Sequence, residues 1–145
     1  QAAQAHANQR GSSTVDIWYT ADAQPNNDIS SKLNEFRTKY FNGCSCSSYS
    51  SNKCTIAGIE DHFCVQSYRA GDNVPSHMDG FWFGGGRQWR YVDKYMGTTM
   101  LDRIKEMYST GGVIGGTSAG ASIQGSLLLR GDKRGNDYFL NVDYL

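Results

Sequence analysis

The hydrophobic positions along this chain alternate between helical and extended spacing. Apolar residues at helical spacing, or good helix formers, dominate the segments that we predict as helices: residues 1–10, 28–40, a segment from 88 onward, 99–108 and 119–129. β-Branched and aromatic residues cluster in the segments that we predict as strands: residues 14–20, a short strand around 62–65 within residues 58–67, and residues 79–83 and 113–116. Strands that alternate with helices form a mostly parallel sheet with helices on both faces. We therefore predict a three-layer α/β fold.

Composition bounds the domain count and excludes two classes of partner. The chain has 145 residues, of which 39% are hydrophobic, and this is the size of one domain with its own core. Its net charge is zero, so we expect no electrostatic attraction to nucleic acid or to an anionic membrane. No apolar run approaches the roughly 20 residues that span a bilayer. We predict one domain over residues 1–145 without a nucleic-acid or membrane partner.

All four cysteines lie in residues 42–64, a Ser- and Asn-rich stretch that we interpret as an insertion within the domain. They are Cys44, Cys46, Cys54 and Cys64. Their even number predicts two disulfides, with the pairing open among three possibilities. A zinc site is the alternative, although the Cys-Ser-Cys spacing is tighter than in structural zinc sites. Because disulfides form in oxidising compartments, the cysteines favour a secreted, mature chain over a cytosolic one.

The strongest sign of chemistry is the sequence GTSAG at 116–120. A predicted strand runs into a turn of small residues and directly on into a predicted helix, which is typical of a nucleophile elbow. We predict that Ser118 is the nucleophile of a serine hydrolase. The Ala119 N–H, aided by the helix N-terminus, would donate to the oxyanion. The alternative is a tight packing turn in which Ser118 only caps the helix.

A second signal is the sequence GGGRQ at 84–88, directly after the predicted strand at 79–83. A glycine loop at the carboxyl end of a strand exposes backbone N–H groups toward the crevice where α/β sheets bind ligands. We predict that this loop supplies the second oxyanion donor. The predicted substrate contacts are Arg87, Gln88 and Arg90. The alternative is a flexible turn; the glycine spacing fits neither a phosphate loop nor a dinucleotide fingerprint, and we expect no cofactor and no metal.

The general base is missing from these motifs. A nucleophilic serine needs a neighbouring base, usually a histidine. His6, His62 and His77 are the histidines of the chain, and all precede Ser118, whereas the histidine follows the serine in elbow-type hydrolases. We therefore expect the base to lie outside this sequence.

Two long segments resemble the cyanophycinase and dipeptidase E family of serine peptidases. They are DGFWFGGGRQWR at 79–90 and GGVIGGTSAGASIQG at 111–125, and residues 15–23, 130–132 and 135–136 are also similar. The resemblance implies a fold like that of class I glutamine amidotransferases, which is flavodoxin-like. It also implies that Ser118 is the nucleophile, that the Gly85–Gly86 turn and Ala119 hold the oxyanion, and that Gln88 faces the substrate. Family members release β-aspartyl-arginine dipeptides from a branched polymer or cleave after an N-terminal aspartate.

The sequence departs from the family pattern at both ends. The family's catalytic histidine lies downstream of the serine, and the first strand with its glycine-rich turn precedes the opening helix; neither is found here. We therefore expect an internal part of a longer protein that associates with the remaining fragments. The leading hypothesis is an exopeptidase that acts on peptides through a seryl acyl-enzyme. The alternatives are an α/β-hydrolase-type esterase and a catalytically inactive storage, defence or binding protein.

Overall fold

A computed structural model describes residues 1–24, 28–44, 53–56, 59–125, 127–129 and 139–141. The helices in these ranges are α1 (Ala2–Gln9), α2 (Ile29–Tyr40), α3 (Gln88–Tyr95), α4 (Thr99–Ser109) and α5 (Ala119–Ser122). The strands are β1 (Thr14–Thr20), β2 (Lys53–Ile56), β3 (Ile59–Ser67), β4 (Gly80–Phe83), β5 (Val113–Gly116), β6 (Leu127–Leu129) and β7 (Phe139–Asn141). No helix of the described ranges is long and apolar enough to cross a membrane.

The main sheet has five strands in the order β2-β3-β1-β4-β5. Strands β3, β1, β4 and β5 are parallel, and β2 runs antiparallel to β3 at one edge. Parallel strands that share a sheet place all their carboxyl ends at one edge, and ligands of open α/β sheets bind there. The loops after β1, β4 and β5 therefore meet at the same edge.

Helices cover both faces of the sheet. On one face, α1 and α2 pack over a cluster that includes Val15, Phe36 and Val65. On the other face, α3, α4 and α5 pack over a larger cluster that includes Phe81 and Ile104. The prediction of a three-layer α/β fold with a mostly parallel sheet is confirmed. The likeness to class I glutamine amidotransferases stays a prediction.

The predicted helix at 119–129 is wrong beyond its first turn. The helix α5 ends at Ser122, and β6 follows as an extended segment that pairs with β7 in a separate antiparallel sheet. Three consecutive leucines at 127–129 suit a helix and a strand equally, so the choice is made by pairing with a distant segment. The other predicted helices and strands are confirmed with small shifts at their ends.

The cysteine-rich stretch at 42–64 contributes to two strands of the main sheet, and the first of them, β2, was not predicted from the sequence. It contains β2 and the first part of β3. Cys64 is fully buried on β3, opposite Asp16 of β1. Neither Cys44 nor Cys64 has a free thiol, but the structure describes no disulfide with both of its partners. Cys46 lies outside the described residues, so two disulfides and a secreted location stay predictions.

Candidate functional site

Ser118 lies on the turn between β5 and α5, at the carboxyl edge of the sheet. Its backbone has φ +53° and ψ −118°, a conformation that costs about 1–3 kcal/mol when the residue is not glycine. Glycine is required on both sides, because a Cβ at Gly120 would lie 2.0 Å from the Phe83 carbonyl oxygen and one at Gly116 2.4 Å from the Gly120 carbonyl carbon. The Ser118 side chain is exposed. The predicted strand–turn–helix geometry is confirmed, but α5 spans only 4 residues, so its dipole contributes little.

The glycine turn after β4 stands directly against Ser118. Strands β4 and β5 are neighbours, and Phe83 pairs with Gly116 at their carboxyl ends. A Cβ at Gly85 would lie 3.5 Å from the Ser118 Cβ. The next residue, Gly86, has φ +147°, and a Cβ there would lie 2.6 Å from the carbonyl oxygen of Ala23. The turn that the sequence predicted as a partner of Ser118 is therefore brought into contact with it.

Three backbone N–H groups beside Ser118 remain unused. The N–H groups of Gly85, Gly86 and Ala119 donate to no atom of the described residues. The Ser118 hydroxyl likewise makes no hydrogen bond within the described ranges. Buried backbone N–H groups in proteins are nearly always paired, and exposed ones turn to water or to a ligand. The site therefore offers a hydroxyl and nearby donors to an oxygen atom that none of the described residues supplies.

Tyr91 of α3 holds the glycine turn through a hydrogen bond to its backbone. Its buried hydroxyl lies 2.9 Å from the carbonyl oxygen of Gly84 and 3.2 Å from that of Thr20, and both oxygens accept from it. Burial raises the pKa of Tyr91, so the hydroxyl remains a donor. On the other side, the amide of Gln24 donates to the carbonyl oxygen of Gly85 over 3.3 Å. With these carbonyls held, the peptide planes of the turn are fixed and its N–H groups keep their direction.

Asp22, just after β1, joins β1 to Ala70 and to helix α3. Its Oδ2 accepts from the Ala70 N–H at 2.7 Å and from the Tyr95 hydroxyl at 2.9 Å, and its Oδ1 accepts from Lys94 at 2.9 Å. Burial alone would raise the pKa of Asp22, but these hydrogen bonds outweigh it and lower the pKa below 3.8. Sequence reasoning missed both Asp22 and Tyr91. The only local signal was a polar residue directly after a buried strand.

The predicted substrate contacts lie at the start of α3. Arg87 is exposed and Gln88 begins the helix. The Arg90 guanidinium stacks on the ring of Trp89, with 4.7 Å to the ring centroid. The Nε of Arg90 is buried, and no described residue accepts its hydrogen bond. No hydrogen bond joins these side chains to Ser118 within the described ranges, so their role in binding substrate stays a prediction.

The histidines lie away from Ser118, as expected from their place in the chain. His62 pairs with Thr14 at the amino end of the parallel strands, and His77 is an exposed residue before β4. His6 of α1 also lies at this end, where its Nδ1 is 2.7 Å from Asp79 and its Nε2 is 3.0 Å from Thr110. Ser118 follows β5 at the opposite end. None of the three acts on Ser118 in this arrangement.

The set of Asp79, His6 and Thr110 has the distances of a catalytic triad, but its surroundings are those of a structural tie. The Thr110 hydroxyl lies 3.0 Å from the carbonyl oxygens of Glu106 and Met107, and both are acceptors for its proton. Asp79 is fully buried, and it also binds the guanidinium of Arg10 and the N–H of Asp16. We interpret the set as a network that joins α1 to the end of α4.

The comparison with known proteins gives no relative for this chain: no protein-family model matches it, and no curated protein matches it.

Proposed function

We propose that this chain carries the nucleophile of a serine peptidase of the cyanophycinase type. The observation that carries the proposal is the exposed Ser118, strained at φ +53° and flanked by Gly85 and Ala119, whose N–H groups, like that of Gly86, donate to no atom of the described residues. A strained serine is retained where the surrounding structure imposes it, and such strain concentrates at active sites. The resemblance of the segments at 79–90 and 111–125 to cyanophycinase and dipeptidase E supports the same assignment.

In the proposed reaction, Ser118 Oγ attacks the carbonyl carbon of an amide while its proton passes to a general base. The carbonyl oxygen becomes an oxyanion and accepts hydrogen bonds from the N–H of Ala119 and from Gly85 or Gly86. The C–N bond then breaks, the amine takes the proton from the base and leaves, and a seryl ester remains. Water hydrolyses this ester with the same base, which restores the serine.

The base is proposed to be a histidine other than His6, His62 and His77, contributed by a segment that associates with this chain. This proposal is supported by the positions of the three histidines, because each of them lies at the amino end of the sheet or before β4, away from Ser118. The substrate is proposed to be a peptide, of the β-aspartyl type that the resemblance implies. The fold proposed with it is that of class I glutamine amidotransferases.

A serine-reactive fluorophosphonate tests the proposal. Protein purified from its source is expected to be labelled at Ser118, and Ser118→Ala is expected to abolish this labelling. The matched control is Ser122→Ala, which removes an exposed serine one turn away whose hydroxyl donates only to the Ser118 carbonyl. Denaturing mass analysis of the same sample reports any companion polypeptide that carries the base.

A second function is favoured by the lack of a histidine at Ser118. A binding or storage protein would keep the fold without the base. In that case the protein would be labelled no faster than its Ser118→Ala variant. If Ser118 is labelled, turnover of matched amide and ester substrates separates a peptidase from an esterase.

A further inference from the structure

A groove opens beside the Ser118 turn, on the side of α2. The cavity has a volume of about 270 Å³ and reaches Gly85 and Thr117, the residues next to the Ser118 side chain. A substrate whose carbonyl group reaches Ser118 therefore has a neighbouring part in or beside this groove. Helices α2 and α3 pack on opposite faces of the sheet. The groove is thus separate from the predicted contacts at Arg87 and Arg90.

One wall of the groove is a continuous row of aromatic rings: Tyr19, Phe36, Tyr40 and Trp82. The ring centroids are 4.8 Å apart between Tyr19 and Phe36 and 5.3 Å apart between Phe36 and Tyr40. The last pair, Tyr40 and Trp82, is 5.2 Å apart. Rings in contact along a row hold each other in place, so the wall is a rigid apolar surface.

The hydroxyl of Tyr19 is a polar group on this wall of the groove. The residue is only 6% exposed, and its hydroxyl has no hydrogen-bond partner among the described residues. The hydroxyl lies against the glycine turn, since a Cβ at Gly84 would be 2.7 Å from its oxygen. Burial, followed by the charge of Glu35, raises the pKa of Tyr19 to about 12. At neutral pH this hydroxyl therefore keeps its proton and is a hydrogen-bond donor on the wall of the groove.

The rim of the groove carries an excess of positive charge. Lys32 and Lys39 of α2 both line it, and Glu35 is the acidic residue between them. Glu35 is paired with Lys32 at 2.9 Å. The ammonium of Lys39 lies 5.1 Å from the centroid of the Tyr40 ring, and no carboxylate of the described residues pairs with it. The groove therefore presents one hydroxyl and one ammonium, both of them hydrogen-bond donors, to a ligand.

We propose that this groove binds a carboxylate-bearing residue of the peptide substrate, held by the Tyr19 hydroxyl and the Lys39 ammonium. The aliphatic part of that residue packs on the ring of Tyr40. A carboxylate is an acceptor with two oxygens, so one group can satisfy a hydroxyl and an ammonium together. Tyr19 and Lys39 are specificity residues here, and neither moves a proton in the reaction. The inference rests on the proposed function, because the ligand is the substrate of Ser118.

The test measures binding without turnover. The Ser118→Ala variant is titrated calorimetrically with two matched pairs of dipeptides, Glu-Ala against Gln-Ala and Ala-Glu against Ala-Gln. In one pair, the carboxylate member is expected to bind about tenfold more tightly than the amide, the effect of one charge-assisted contact. Adding Tyr19→Phe or Lys39→Gln is expected to reduce that preference at least about threefold. The Tyr19→Phe change keeps the ring and removes only the hydroxyl.

Matched controls separate the groove from general effects. Tyr68→Phe removes a hydroxyl that donates to Asp72 away from the groove, and Lys105→Gln removes an exposed cation of α4; neither is expected to alter the preference. Equal affinities within both pairs, or a preference that survives both groove substitutions, would overturn the inference. Fluorophosphonate labelling of Ser118 is independent of this result. Labelling without a preference contradicts only the groove, and a preference without labelling contradicts only the peptidase.

Discussion

The two ends of the parallel sheet both hold polar clusters, but they differ in which groups have no hydrogen-bond partner among the described residues. At the amino end, the Asp79 carboxylate is fully buried and accepts bonds from Arg10, His6 and the Asp16 N–H. At the carboxyl end, the hydroxyl of Ser118 and the nearby N–H groups have no partner among the described residues. Triad-like distances occur at the amino end, where the Oδ1 of Asp16 is buried without a hydrogen-bond partner among the described residues. The comparison teaches that unused donors mark a candidate site better than catalytic-looking distances do.

The largest effect is expected from a substitution that disrupts the amino end of the sheet alone. Arg10→Met removes the cation that lies between Asp16 and Asp79. Because two buried carboxylates are then left without their counter-charge, the free energy of unfolding is expected to fall by about 3–5 kcal/mol. Urea unfolding followed by tryptophan fluorescence measures the loss.

The matched control for this change is Arg103→Met. Arg103 pairs with Glu106, which is 66% exposed, so its loss is expected to cost less than about 1 kcal/mol. Labelling of Ser118 in the folded fraction of Arg10→Met is expected to be unchanged. Equal losses in the two variants, or slower labelling in Arg10→Met, would show that the two ends of the sheet are not separate.

The fold was predictable to the extent that its signals are local. The spacing of apolar residues predicts α2 and α4, and the β-rich run at 14–20 predicts β1, because each element buries one face by itself. The strand β6 escaped prediction because the leucines at 127–129 take their conformation from pairing with β7. The strand β2 also escaped prediction, because its residues take their extended conformation from pairing with β3.

The candidate site divides in the same way. The turns at Ser118 and Gly85 were predictable, since a short glycine pattern determines each one. Tyr19, Asp22 and Tyr91 were not, because their hydrogen bonding depends on elements far apart in the chain. Lys94 and Asp22, for example, are 72 positions apart. A polar side chain whose hydrogen-bond partners are distant in the sequence produces no periodic pattern along the chain from which its role could be predicted.

Acid titration tests how much the charge of Asp22 stabilises the carboxyl end of the sheet. The pKa of Asp22 is lowered in the fold from 3.8, so its stabilisation is present above that value and is lost as the pH falls through the lower folded pKa. Asp22→Asn leaves the donors around it poorly satisfied and is expected to cost about 1–3 kcal/mol at pH 7. Urea unfolding at several pH values is expected to show the wild type and the variant converging below pH 3.8. A difference that is constant with pH would mean that the charge of Asp22 is not what stabilises the fold.

The smallest expected effect concerns the strain at Ser118 itself. Ser118→Gly relieves a positive φ at a cost in unfolded-chain entropy, and the net gain in the free energy of unfolding is expected to be about 1 kcal/mol. Ser118→Ala keeps the strained backbone and is expected to remain within about 0.5 kcal/mol of the wild type. Thermal unfolding of the three proteins measures the order. A glycine variant less stable than the alanine variant would show that the turn is not strained.

The contacts of Asp22 also bear on the order in which the chain is synthesised. Its partners are Thr20, Ala70, Lys94 and Tyr95. Every one of them precedes Ser118, as do Tyr91 and the glycine turn that Tyr91 holds. Chains begin to fold from the end that leaves the ribosome first. The glycine turn and the residues that hold it are therefore translated before Ser118, and the serine reaches a turn whose counterpart has already been made.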